Sequence, residues 1–200
     1  MTPFVKICGV TTGDAVEAAI AAGADAIGFV FHAPSPRNIE PRRAALLARD
    51  LPPAMLCIAV TRHPEQELVD RVLDSFVPDV WQSDAADFGS LRMPAGIERW
   101  PVLRRLPAAP QGSPRVLFES LASGSGSRAD WAAAAFLAPT CELILGGGLD
   151  ATNVVQAIAT VRPFGVDVSS GVERAPGIKD ERRIREFIVA ARTAGQAIPA

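Results

Sequence analysis

Short apolar runs alternate with stretches of helical periodicity along the whole chain. Eight runs are rich in Val, Ile, Leu or Phe, and most are followed by a segment whose apolar residues recur at steps of three and four. This alternation predicts repeated strand and helix units. The predicted strands lie in FVKIC, AIGFVF, AMLCIAV, VPDVWQ, IERWPVLR, RVLFE, CELILGG and FGVDVSS.

Eight such units predict a closed barrel of parallel strands with helices outside. The expected fold class is α/β, a minimal (β/α)8 TIM barrel that forms a single domain over residues 1–200. An open, doubly wound parallel sheet is the alternative. Only a short helix, around AADFGSL, is expected between the fourth and fifth strands. The helix after strand five is expected to be short or missing, because the proline-rich run LPAAPQGSP cannot form a regular helix.

Composition narrows the classes of function. The 200 residues are 48% hydrophobic and carry a net charge of -2, with scattered basic residues, so neither nucleic acid nor an anionic membrane is an expected partner. The expected partner is a small molecule. Cys8, Cys57 and Cys141 form no CxxC pair, and no apolar leader or membrane span is present, which favours a reducing cytoplasm. With His32 and His63 the only histidines, no metal site is expected.

The first strand carries unusual polar residues. Side chains alternate along a strand, so Lys6 and Cys8 point into the barrel if Val5 and Ile7 pack outward on the helices. Asp167 points inward on the last strand, which neighbours the first in a closed barrel. We therefore predict a Lys6–Asp167 ion pair beneath the pocket. The nearby cation would favour the thiolate form of Cys8, which makes Cys8 a candidate base or nucleophile. The alternative for Cys8 is a small buried apolar residue.

Two glycine-containing runs follow strands seven and eight, where barrels of this kind commonly bind phosphate. GGGLDATNV fits a phosphate site at a helix N-terminus, with Asp150 or Thr152 as the cap, and SSGVE adds two hydroxyl groups. The alternative is a pair of tight turns between strand and helix. Their adjacency favours the phosphate site.

Two further residues are candidates for chemistry. Asp130, at a predicted helix start in GSGSRADW, offers the acid that complements Cys8, and its alternative role is that of a helix N-cap. Arg37, in the proline-fixed loop SPRN, suits recognition of a carboxylate, and its alternative is a surface arginine.

Five segments resemble the phosphoribosylanthranilate isomerase family, and together they extend from the first strand to the last helix. The resemblance implies a (β/α)8 aldose-ketose isomerase of tryptophan biosynthesis. It implies conversion of N-(5-phosphoribosyl)anthranilate to 1-(o-carboxyphenylamino)-1-deoxyribulose 5-phosphate, with no cofactor. The sequence leaves open whether the protein is a monomer or a homodimer. The segments are KICGVT, GADAIGFVFHAPSPRNI, GSGSRADW, GGGLDATNV and GVDVSSGVERAPGIKD.

The resemblance also implies residue roles. Asp130 is expected to protonate the ribose ring oxygen, Cys8 to remove the C2 proton, and Arg37 to hold the anthranilate carboxylate. The family's Gln-Leu-His-Gly run is replaced within WQSDAADF, which retains Gln82 as a substrate contact and alters the anthranilate side. Asp167 is also counted among the substrate-binding residues. The expected phosphate ligands are Gly147, Gly148, Ser169, Ser170 and Gly171.

Two other functions fit parts of the pattern. The related isomerase of histidine biosynthesis performs the same rearrangement on a larger substrate with two phosphates, but it has an aspartate where this chain has Cys8. A sugar-phosphate binding protein without catalytic activity is the second alternative. If the isomerase assignment is right, the rate requires Cys8 as thiolate and Asp130 protonated, which predicts a bell-shaped or one-sided pH profile.

Overall fold

A computed structural model describes residues 2–105, 115–121, 124 and 126–197. Eight parallel strands form a closed barrel in chain order, which confirms the predicted (β/α)8 architecture. The first and last strands pair directly, with Lys6 opposite Asp167, so the open sheet is excluded. The strands are β1 (Phe4–Cys8), β2 (Ala26–Val30), β3 (Leu56–Val60), β4 (Val80–Asp84), β5 (Glu98–Leu103), β6 (Arg115–Phe118), β7 (Glu142–Leu145) and β8 (Gly165–Val168).

The connections vary in length. A 3-10 helix at Ala85–Gly89 is the short helix predicted between β4 and β5, and two more lie at Ala138–Thr140 and Ser170–Val172. The run after β5 in which a short or missing helix was predicted, 106–114, lies outside the described residues. After β8 the chain forms an antiparallel hairpin of β9 (Glu173–Ala175) and β10 (Ile178–Lys179). The α-helices are α1 (Gly13–Ala22), α2 (Pro41–Ala48), α3 (Gln66–Leu73), α4 (Trp131–Leu137), α5 (Val154–Val161) and α6 (Glu181–Ala197).

Helix α1 shows how local sequence sets these boundaries. The Thr12 hydroxyl accepts a hydrogen bond from the Ala15 backbone N–H at 3.4 Å, as an N-cap residue should. Gly23 ends the helix with φ of +82°, a left-handed conformation that glycine adopts without strain. The helix buries Ala15, Val16 and Ala19, and it packs against α6 on the outside of the barrel.

Alternation along the strands separates two apolar layers. Val5 and Ile7 belong to the layer between strands and helices, as predicted, and Lys6 lies inside the barrel. Large side chains close the amino-terminal end of the barrel, where the Arg115 guanidinium lies 4.7 to 5.3 Å from three aromatic ring centres. The barrel interior is therefore a packed core, and its carboxyl-terminal end is left for a site. The inner cluster comprises Ala26, Ile58, Val80, Trp100, Val102, Leu117 and Ile144.

None of the helices in the described part of the chain contains an 18-residue stretch apolar enough to span a lipid bilayer.

Candidate active site

A cavity of about 680 Å³ opens at the carboxyl ends of the strands. It has the size of a small-molecule site. It brings together six of the residues expected from the sequence, which come from loops and strands far apart in the chain. Those six are Cys8, Arg37, Gln82, Asp167, Ser169 and Ser170, and Arg104, Glu119 and Glu173 line the same cavity.

Cys8 lies at the end of β1 above the predicted ion pair. The Lys6 Nζ atom is 2.7 Å from Asp167 Oδ1, and the Lys6 side chain is fully buried, so the predicted pair is confirmed. A Cβ atom on Gly28 of β2 would lie 3.1 Å from Cys8 Sγ and 3.2 Å from Lys6 Nζ. Glycine at this position therefore provides the space in which the thiol and the ammonium group meet.

The charge state of Cys8 differs from the sequence expectation. Burial raises the pKa of the thiol, and Lys6 and Lys179 oppose this effect only in part, while Asp167 adds to it. The net pKa of Cys8 is above its ordinary 9.0. Lys6 remains a cation, because Asp167 and Cys8 outweigh the burial that would lower its pKa. The predicted effect of the nearby cation is present, because Lys6 lowers the pKa of the thiol, but burial outweighs it.

Arg37 reaches the cavity from the loop after β2, and its guanidinium pairs with Glu173. Its Nε donates to Glu173 Oε1 at 2.7 Å and its Nη2 to Oε2 at 2.9 Å. Its Nη1 is 3.4 Å from the Gly124 carbonyl. The aliphatic part packs on Gly9, where a Cβ atom would lie 2.6 Å from Arg37 Cδ. Arg37 is 7% exposed, so it is not a surface arginine.

Gln82 lies in β4 and is buried at the cavity wall. Its amide oxygen has no hydrogen-bond partner within the described part of the chain. Asp84, two residues later, lies in the run that departs from the family pattern, and it forms an ion pair with Arg104. Arg104 also contacts Glu119, with 2.7 Å between Nη2 and Oε1. His63 approaches Asp84 from the loop after β3 at 3.1 Å.

Asp130 is not brought into the cavity that contains Cys8. It is exposed and caps α4, where its side chain accepts a hydrogen bond from the Ala133 backbone N–H at 3.0 Å. It lines a neighbouring cavity, and Arg104 and Glu119 form part of the wall of both. Asp130 therefore caps α4, and its role as the acid stays a prediction.

Glu119 is the carboxylate that sequence analysis missed. It directly follows β6, it lines the cavity with Cys8, and its side chain is 17% exposed. A Cβ atom added at Gly146 would lie 3.6 Å from Glu119 Cβ and 3.5 Å from Asp167 Oδ2, so these two side chains lie on either side of Gly146. The signal was present in the sequence, because a polar residue at a strand end is what such barrels use for chemistry.

The glycines after β7 allow their loop to pack closely against its neighbours. Gly147 and Gly148 have φ of +82° and +64°, and neither lines the cavity. A Cβ on Gly147 would lie 2.7 Å from the Ser120 backbone nitrogen, so the loop packs directly against the segment after β6. Gly171 packs in the same way against Leu149, because a Cβ atom added at Gly171 would clash with the Leu149 carbonyl oxygen.

The N-terminus of α5 lies further along the chain than predicted. Its N-cap is Asn153 and the helix begins at Val154. Asp150 accepts hydrogen bonds from the backbone nitrogens of Thr152 and Asn153 within the preceding turn. Neither Asp150 nor Thr152 is therefore the cap. Ser169 and Ser170 remain as the hydroxyl groups that line the cavity at this end.

Comparisons with known proteins identify the family of the chain. A family model described as N-(5'phosphoribosyl)anthranilate (PRA) isomerase matches residues 5–190. The N-(5'-phosphoribosyl)anthranilate isomerase of Geobacter sp. strain M21 is 40% identical over 198 residues, which cover 94% of this chain and 97% of that protein.

Solved structures give the same result. The crystal structure of phosphoribosyl anthranilate isomerase from Thermus thermophilus matches with a TM-score of 0.82 and 29% identity, over 95% of this chain and 98% of that one. Another structure of this enzyme, in complex with reduced 1-(o-carboxyphenylamino)-1-deoxyribulose 5-phosphate, matches with a TM-score of 0.74 and 29% identity, over 96% and 99% of the chains. On this evidence, the chain belongs to the N-(5'-phosphoribosyl)anthranilate isomerase family.

Proposed function

We propose that this chain catalyses the Amadori rearrangement of N-(5'-phosphoribosyl)anthranilate to 1-(o-carboxyphenylamino)-1-deoxyribulose 5-phosphate, in tryptophan biosynthesis, with Cys8 as base and Asp130 as acid. One observation supports the residue assignment. A single cavity contains the Cys8 thiol with cationic and hydroxyl groups suited to the carboxylate and phosphate ends of the substrate, and Asp130 lines the neighbouring cavity that shares two wall residues with it. General acid and base groups of this kind each contribute about a hundredfold to ten-thousandfold to a rate.

The first step opens the ribose ring. Asp130 donates a proton to the ring oxygen as the bond from that oxygen to C1 breaks, and the nitrogen lone pair forms the C1–N double bond. The product of this step is a Schiff base. Asp130 is favoured over Glu119 for this role because Glu119 forms an ion pair with Arg104, and a carboxylate in an ion pair is a hydrogen-bond acceptor and not a proton donor.

The second step moves the hydrogen from C2. The Cys8 thiolate removes the C2 proton, the electron pair forms the C1–C2 double bond, and the C–N π electrons return to nitrogen. The resulting enolamine gains a proton at C1 and loses one from the C2 hydroxyl to give the ketone, so substrate and product are isomers. Lys6 lies beside the thiol and stabilises the thiolate when it forms.

Four groups hold the substrate in this scheme. Arg37 binds the anthranilate carboxylate, and Gln82 accepts a hydrogen bond from the same end of the molecule through its unpartnered amide oxygen. Asp167 accepts a hydrogen bond from a ribose hydroxyl. The Ser170 hydroxyl donates to the phosphate, and the backbone N–H groups of Ser169 and of the neighbouring glycines complete this subsite, which keeps Gly147, Gly148 and Gly171 as predicted ligands.

The choice between the two carboxylates is tested by matched amide variants. We expect Asp130→Asn to lower kcat by about a hundredfold or more, because an amide cannot supply the proton, while asparagine keeps the N-cap of α4. Glu119→Gln should retain kcat within about threefold, since an amide oxygen still accepts a hydrogen bond from Arg104. The measurement is consumption of freshly made phosphoribosylanthranilate, followed by fluorescence.

The opposite ranking of these two variants would give the acid role to Glu119. A wild-type protein that binds the substrate and does not convert it would support the binding protein without catalytic activity.

The cellular setting is also a proposal. Cys8, Cys57 and Cys141 are all free thiols, and burial raises the pKa of Cys57 to about 12 and lowers its reactivity. We place the protein in the cytoplasm on this basis. Sedimentation of the purified protein distinguishes a monomer from a homodimer.

A further inference from the structure

We propose that Glu173 and Lys179, on the β9–β10 hairpin, are positioning residues that hold Arg37 and Ser169 for the two anionic ends of the substrate. The proposal rests on the proposed function. The sequence pattern assigned no role to either residue.

The first contact orients the guanidinium of Arg37. Its Nε and Nη2 donate to the two carboxylate oxygens of Glu173 at 2.7 and 2.9 Å, so the planar groups pair edge to edge. This pairing occupies one edge of the guanidinium and leaves Nη1 near Gly124, at the cavity wall. A guanidinium can bind a second carboxylate through its other edge, which Glu173 thereby orients for the substrate.

The second contact fixes Ser169. Lys179 Nζ donates to the Ser169 carbonyl at 3.0 Å, to the Ser169 hydroxyl at 3.2 Å and to Glu173 Oε1 at 2.9 Å. The Ser169 hydroxyl in turn donates to the Cys8 carbonyl at 3.0 Å. One continuous set of hydrogen bonds therefore connects Arg37, through the hairpin, to the backbone of the proposed base.

The hairpin turn is itself packed against the loop that carries Arg37. Gly177 has φ of +79°, and a Cβ there would lie 2.2 Å from the Pro36 carbonyl oxygen. The Thr11 hydroxyl donates to the Gly177 carbonyl at 3.2 Å. Because only glycine satisfies both conditions, the turn can approach the loop closely enough for Glu173 to reach Arg37.

The charges favour this role over a purely structural one. Arg37, Glu173 and Lys179 are each at least nine-tenths buried, and Arg37 and Glu173 line the cavity. Buried ion pairs are seldom more stabilising than apolar side chains of the same volume. The Arg37 guanidinium at the cavity wall does provide positive charge of the kind that an anionic substrate requires.

The test uses two binding probes that differ only in the carboxylate. One is the reduced product analogue, and the other is the same compound without the carboxyl group on its ring. For Glu173→Gln, calorimetry should show that binding of the first weakens by about tenfold or more, because an amide cannot pair with both donors of Arg37. Binding of the second should change by less than about threefold, which also shows that the variant is folded.

Lys179→Met and a remote control complete the experiment. Lys179→Met should weaken both probes to a similar extent, since Ser169 serves the phosphate that they share. Glu186→Gln, which removes an exposed ion pair with Arg182 on α6, should affect neither. An equal loss of both probes in Glu173→Gln, or no loss of either, would overturn the positioning role. The probes bind without turnover, so an inactive wild type would count against the proposed function alone.

Discussion

At the scale of the residue, the Cys8 thiol is subject to opposing effects. Burial among the strands disfavours its charged form, and the ammonium groups of Lys6 and Lys179 favour it. Burial dominates, so the thiol is protonated in the free protein near neutral pH. The substrate therefore meets a neutral cysteine beside a buried lysine, and the reactive thiolate is a minor species that the local cations stabilise.

A difference titration measures this directly. We expect the ultraviolet thiolate absorbance of the wild type minus that of Cys8→Ser to be well below half of its full value at pH 9.0, where an unperturbed thiol with a pKa of 9.0 is half ionised. The Cys57 and Cys141 thiols cancel in the difference. A titration midpoint at or below neutral pH would instead show that the cations outweigh burial.

At the scale of the element, the β9–β10 hairpin connects loops that are remote in sequence. Arg37 and Glu173 are separated by 136 positions, and their pairing depends on the closure of the barrel. Burial opposes ionisation of Glu173, but hydrogen bonds from Arg37 and Lys179 dominate and hold its pKa below the ordinary 4.5. The hairpin is therefore attached to the barrel by a carboxylate that must stay charged.

This depressed pKa predicts an acid-sensitive stability. The folded protein holds its Glu173 proton more weakly than the unfolded chain, so the contribution to stability is present above pH 4.5 and lost as the pH falls through the lower folded-state value. The denaturant concentration at the unfolding midpoint of the wild type should fall as the pH is lowered through this interval. The midpoint of Glu173→Gln should fall by less over the same interval, and an identical pH dependence of the two proteins would contradict the assignment.

At the scale of the whole molecule, the spacing of apolar residues predicted the barrel, because each strand and each helix has its own apolar period. The Lys6–Asp167 pair was predictable as well, since alternation within β1 and β8 and closure of the barrel determine it. Glu119 was not singled out, because its place at the cavity wall depends on where β6 ends and not on a local motif. The contacts of Glu173 were not predictable, since they depend on how a short hairpin packs on a distant loop.

The central claim is that Cys8 removes the C2 proton within the cavity that also holds Glu119. The most direct test is kcat of Cys8→Ala and Cys8→Ser, together with their affinity for the reduced product analogue. The account predicts that kcat falls by about a hundredfold to ten-thousandfold while affinity stays within about threefold, because the thiol is needed for proton transfer and not for binding. A Cys8→Ala protein that retains more than about a tenth of the wild-type kcat would contradict it.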